Sequence, residues 1–170
     1  MTHAGASYSI ENQPTGWYRA MEWYREVGTN LLAPALVMFE VALPSADAYQ
    51  DFRYAFATTL MLDGYFSASV GGYHEVPWFD EYDLAGNSNS KWLGMPIDPP
   101  QTDAYQNGVW MRRFEHGLAL VNPKGNGPQT VDVPAGYHHI EGTQAPTIND
   151  GTPAMSVMLA DRDGLLLVAD

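Results

Sequence analysis

The sequence predicts an α/β unit over residues 1–100 followed by a small antiparallel β-sandwich over residues 101–170. Three features carry this reading. Apolar residues recur at helical spacing in two segments, 16–28 and 45–62. A short apolar run follows each of them, at 35–41 and 64–67, so helices and strands alternate as they do in parallel sheets. Beyond about Gly94 the texture changes to a Pro-rich loop, and then to short strand-like runs with turn residues at close spacing.

The first helix is expected over 16–28, GWYRAMEWYREVG, where Trp17, Met21 and Tyr24 fall on one face and Gly28 suits a C-cap. The run 35–41, ALVMFEV, is nearly all apolar, as expected of a parallel strand buried on both faces and ending near Glu40. The segment 45–62 then opens with Ser45 as a cap, carries acids in its first turns, and repeats apolar residues at Tyr49, Phe52, Phe56 and Leu60. A second short strand is expected over 64–67, GYFS. In the C-terminal part the strands are expected at 109–115, 118–122, 129–133, 137–141, 154–159 and 164–168. His116 and Gly117 form the two-residue hairpin connection, with the glycine suited to a positive φ. The other turns fall at Pro134-Ala135-Gly136, Asn149-Asp150-Gly151 and residues 161–163. Six short strands fit a small sandwich.

The 170 residues are 45% hydrophobic, enough to bury a core. Twenty acids against eight basic residues give a net charge of −12, which repels phosphate backbones and anionic head groups, so neither nucleic acid nor a membrane surface is expected as a partner. With no cysteine there are no disulfides or thiolate metal sites, a composition that suits either a reducing cytoplasm or a disulfide-free secreted protein. No apolar run reaches the roughly 18 residues needed to span a bilayer, and the N-terminal residues lack a basic start followed by an apolar block.

The chemistry concentrates in residues 60–86, LMLDGYFSASVGGYHEVPWFDEYDLAG, where a strand runs into a loop rich in rings and carboxylates. Trp78, Phe79, Asp80, Glu81, Tyr82 and Asp83 place three aromatics and three acids on six consecutive residues. Flat rings stack on the apolar faces of sugars, and carboxylates bind hydroxyls or carry protons at a glycosidic bond. Trp78, Asp80, Glu81, Tyr82 and Asp83 are therefore the candidate carbohydrate-binding residues. Glu40, near a strand's carboxyl end, is the candidate catalytic acid or nucleophile.

Asp63, before a glycine, reads as a turn residue. Arg112 and Arg113 point to opposite faces of their strand, and the inward one needs a carboxylate partner, for which Glu81 and Asp83 are the candidates; such a pair would brace the sandwich against the α/β part. His138 and His139 are adjacent, so on a strand they cannot chelate one metal, and neither a metal nor a cofactor is expected.

With LMLDGYF, the WFDEYDLAG loop and GVWMRRFEHGLALVNP in this order, roughly residues 54–170 resemble the C-terminal part of a glycoside hydrolase family, whose members look like a (β/α)8 barrel followed by a small β-sandwich. The Gly71-Gly72-Tyr73-His74 approach and the insertion at 87–91 depart from that pattern. The resemblance implies that 35–41 is the seventh barrel strand and 64–67 the eighth. A whole barrel takes on the order of 250 residues. The chain is thus expected to be the last α/β units of an incomplete TIM-type barrel plus a sandwich, inactive alone, with the missing N-terminal barrel portion or an oligomeric partner covering its open strand edges. The competing expectations are a non-catalytic carbohydrate-binding or interaction module, and a structural accessory domain.

Overall fold

A computed structural model describes residues 10–11, 16–34, 36–71, 76–84 and 92–170. Ala35, the departures at 72–74 and the insertion at 87–91 lie outside them. The element order is α1 (Gly16–Asn30), β1 (Met38–Leu43), α2 (Tyr49–Leu60), β2 (Tyr65–Val70), a 3-10 turn (Asp80–Tyr82), then β3 (Trp110–Phe114), β4 (Gly117–Asn122), β5 (Gln129–Asp132), β6 (Tyr137–His139), β7 (Ser156–Leu159) and β8 (Asp163–Ala169). The protein is therefore mixed α/β, with both helices and antiparallel sheets.

These elements stack in four layers. β1 and β2 pair in parallel, Met38 opposite Tyr65 and Leu43 opposite Val70. α1 and α2 cover one face of that pair: Tyr24 of α1 lies 4.6 Å from Phe39, and Phe56 of α2 lies 5.1 Å from Phe66. The other face of α2 meets an antiparallel sheet in the order β3-β4-β8-β6. The hairpin-like pair β5-β7 covers the far side of that sheet.

Side-chain alternation sorts the two cores. Ala119, Val121, Leu166 and Val168 turn toward the helices and join Trp17, Phe52, Phe56 and Phe79, while Leu118, Leu120, Leu165 and Leu167 turn toward Val131, Val157 and Leu159. The helix-side core thus draws on both sides of residue 100 and does not divide there.

Several boundaries differ from expectation for identifiable reasons. β1 spans Met38–Leu43, so Glu40 lies mid-strand rather than at its end. Nor is β1 buried on both faces: Met38, Glu40 and Ala42 are exposed, and only the side bearing Phe39, Val41 and Leu43 packs on the helices. The strands buried on both faces are instead the antiparallel β4 and β8, whose runs LALV and LLLV carry that signal. Gly28 lies within α1 and does not cap it. The N-cap of α2 is Ala48, without a side-chain bond, and Ser45 instead accepts the Ala48 N–H through its carbonyl at 3.3 Å.

The β3-β4 turn residues are Glu115 and His116, and Gly117 begins β4 without a positive φ. Its glycine is required by packing, since a Cβ there would lie 2.3 Å from the Leu167 carbonyl oxygen.

A closer approach occurs where α2 crosses β8. A Cβ on Gly164 would lie 2.2 Å from the Arg53 carbonyl oxygen and 2.7 Å from the Ala57 methyl. The first obstacle is helix backbone and cannot swing aside. Gly164→Ala is expected to separate helix from sheet and lower stability by about 3 kcal/mol. The shift of the urea midpoint measures this, and an unchanged midpoint would show that the interface has slack.

Candidate functional site

The acidic aromatic loop is anchored by its rings before its acids take part. Phe79 is fully buried and stacks on Phe52 of α2, with centroids 3.7 Å apart and planes 12° apart. Tyr82 is half-buried, edge-on to Phe52 at 5.2 Å. Trp78, one residue before the anchor, points outward, 63% exposed and 5.6 Å from the Tyr82 ring. One ring of the three therefore serves the core, one straddles the boundary and one faces solvent.

The acids divide in the same way. Asp80 accepts the backbone N–H groups of Thr143 and Gln144 through Oδ2, both at 2.7 Å, while its own N–H donates to Gln144 Oε1 at 2.9 Å. Gln144 Nε2 in turn donates to the Trp78 carbonyl at 3.0 Å. This reciprocal set fastens the loop to the segment between β6 and β7.

Glu81 corrects the expectation of a sugar-binding carboxylate. It is 3% exposed, and its Oε1 accepts from Asn149 Nδ2 at 3.0 Å. A one-turn 3-10 segment cannot place three consecutive side chains on the same side, and Glu81 is the one turned inward. Burial holds its carboxyl above the ordinary carboxylate range, opposed by the Asn149 hydrogen bond and by the charge of Arg53. Burial likewise raises the Tyr82 hydroxyl, with the neighbouring Glu81 adding to the effect. Asp83 is partly exposed.

Glu40 sits on the outward face of β1, opposite Ser67 in the parallel register. Among the described residues no hydrogen bond or ion pair joins it to the acidic loop, so the structure does not bring the two candidate sites into direct contact.

The arginines take partners other than the expected ones. Arg112 is 2% exposed and pairs with Asp63, not with Glu81 or Asp83, through Nη2 and Oδ1 at 2.6 Å. Its Nη1 donates to the carbonyls of Leu60 and Leu62 at 3.1 and 2.7 Å, and Nε donates to the Asp98 carbonyl at 3.2 Å. The guanidinium therefore closes the C-terminal end of α2, where carbonyls have no helical donor and a cation meets the negative end of the dipole. Asp63 acts as the partner of Arg112 and not simply as a turn residue. Arg113 faces solvent and pairs with Asp98 at 2.7 Å.

Sequence reasoning did not find Gln144 and Asn149, the residues that hold the loop. Their segment, GTQAPTIND, carried only a turn signal at its end. Among the described residues no three His, Asp or Glu side chains are grouped to hold a metal ion. No protein-family model, curated protein or solved structure matches the chain.

Proposed function

We propose that this chain is the C-terminal part of a glycoside hydrolase acting on poly- or oligosaccharides, and that it does not hydrolyse them alone. The observation that carries the reading is the Trp78 ring, open to solvent and edge-on to Tyr82, on one short loop with Asp80 and Asp83. An exposed ring beside carboxylates suits the apolar face and the hydroxyls of a sugar.

The parallel pair supports the barrel part of the reading. Helices cover one face of β1 and β2, and Met38, Glu40, Ala42, Tyr65, Ser67 and Ser69 occupy the other, as barrel strands turn one face to helices and one to the lumen. In that setting Glu40 is a lumen-facing carboxylate. The second carboxylate that hydrolysis needs, roughly 5 to 10 Å away, belongs to strands supplied by a preceding part of a longer polypeptide or by a partner.

A second reading, a non-catalytic carbohydrate-binding module, is favoured by the state of the loop acids. Glu81 is in the core and Asp80 is committed to two backbone amides, which leaves ring stacking as the loop's main resource.

Calorimetric titration with glucan oligosaccharides, alongside an assay for new reducing ends, tests both. Binding without hydrolysis is expected. Trp78→Ala is expected to weaken binding by about 1–3 kcal/mol while leaving the melting temperature nearly unchanged, because an exposed ring contributes little to the core. Unchanged affinity in the variant would remove the loop from the site. Hydrolysis by the isolated chain that is lost in Glu40→Gln would instead make the chain an enzyme by itself.

A further inference from the structure

The buried charges beneath the acidic loop do not balance. Arg53 of α2 donates from Nε and Nη2 to Asp163 at 3.0–3.2 Å and from Nε to the Gly164 carbonyl at 3.1 Å, so its charge is directed to β8. Glu81 lies within the field of the same arginine without a hydrogen bond to it. Two buried acids therefore share one buried cation.

The groups facing Glu81 are Arg53 from α2, with Asp163 of β8 behind it, and Asp80 and Tyr82 on its own turn; from the segment between β6 and β7 it meets the neutral amide of Asn149. That amide is itself 2% exposed. Its Nδ2 is shared between Glu81 and the Gln144 carbonyl at 3.3 Å, and its Oδ1 has no hydrogen-bond partner. An ionised Glu81 would thus place a second negative charge in a region whose cation is directed to Asp163 and which offers it two neutral donors, the Asn149 amide and its own backbone N–H. A neutral carboxyl avoids that charge and brings a hydroxyl donor of its own.

We propose that Glu81 works as a proton-operated catch: in its neutral form it seats the loop bearing Trp78 and Tyr82 against α2 and the 142–150 segment, and its ionisation releases both loops. The sign follows from the folded carboxyl holding its proton more tightly than the unfolded one. The folded state binds more protons over the window that opens near the ordinary carboxylate value, so the seated form weakens as pH rises through that window. Asp80 and its bonds to Thr143 and Gln144 lie on the same contact, so one proton governs the whole fastening. The catch would operate whatever the loop binds.

Hydrogen exchange of the full chain, followed by mass spectrometry from about pH 5 to about pH 9 and corrected for intrinsic rates, tests it. Protection of peptides covering 76–84 and 142–150 is expected to fall about tenfold or more across the window while β4 and β8 keep theirs. In Glu81→Gln, which is neutral throughout and keeps an oxygen for Asn149, the two loops are expected to hold the same protection at every pH. Parallel profiles in the two proteins would overturn the proposal, as would loss spread evenly over the chain. A carboxyl-labelled glutamate NMR titration of the natural chain decides independently of any variant: one folded-state carboxyl titrating clearly above the others supports the catch, and its absence overturns it.

Discussion

Arg112→Ala is expected to lower the unfolding free energy by about 4 kcal/mol, the sum of charge-assisted bonds lost from three buried or half-buried carbonyls. The substitution leaves Leu60, Leu62 and Asp98 without their donor at the end of α2 and takes the guanidinium from beside the Phe114 ring, 5.7 Å away. A domain of this size has roughly 5–15 kcal/mol in all, so the loss is a large share of it. Arg112→Lys is expected to recover less than half, because one ammonium on a flexible stem cannot reach acceptors arranged around a planar fork.

Asp63→Asn provides the contrast. Its side chain is 63% exposed, and loss of that ion pair is expected to cost under about 1 kcal/mol. Urea unfolding followed by far-ultraviolet circular dichroism separates the three. An Arg112→Ala midpoint close to that of Asp63→Asn would reduce the arginine to a surface residue.

The second large effect is expected at the other end of the same helix. Arg53 and Asp163 are both nearly fully buried, and their guanidinium and carboxylate meet through three bonds. Arg53→Met is expected to cost about 3–5 kcal/mol at neutral pH, since it leaves Asp163 as an uncompensated buried charge near Glu81. The penalty is expected to shrink as pH falls. Burial already makes the folded Asp163 bind a proton more readily than the unfolded chain does, against the charge of Arg53; without that cation it binds one more readily still, and neutralising it removes the charge that made the substitution costly. Replacing both residues with apolar ones is expected to cost less than the sum of the single changes. A penalty independent of pH would place the loss in packing and not in charge.

The sequence made the local periodicities legible. Trp17, Met21 and Tyr24 are the buried face of α1, and the two apolar runs that follow the helices do pair in parallel. The C-terminal runs flanked by glycine and proline turns are antiparallel strands. What periodicity could not convey was which layer lies on which face. The run ALVMFEV looks buried on both sides, yet only alternate residues of β1 are covered, because whether a strand has a second neighbour depends on the rest of the chain. The acids of WFDEYD are equivalent in sequence. A single turn anchored by Phe79 separates them, sending Glu81 into the core and Trp78 into solvent. Arg112 illustrates the same limit, since its partners lie 49 to 52 positions away by chain and 14 positions away in the case of Asp98.

The position of α2 also bears on the order in which the protein folds during synthesis. Its inner side rests on β8, about 110 residues later, where Arg53 awaits Asp163 and Ala57 packs against Gly164. A helix of 12 residues is marginal without tertiary contacts, and the loop that must close before β8 arrives is long. Once β2 has followed α2 out of the ribosome, the helix's apolar residues Phe52, Phe56 and Ala57 have the parallel strands on one side and no sheet on the other. The nascent chain therefore carries an unfinished layer until the seven-residue strand β8 is made, the interval in which a chaperone or a neighbouring nascent chain would have access to that surface.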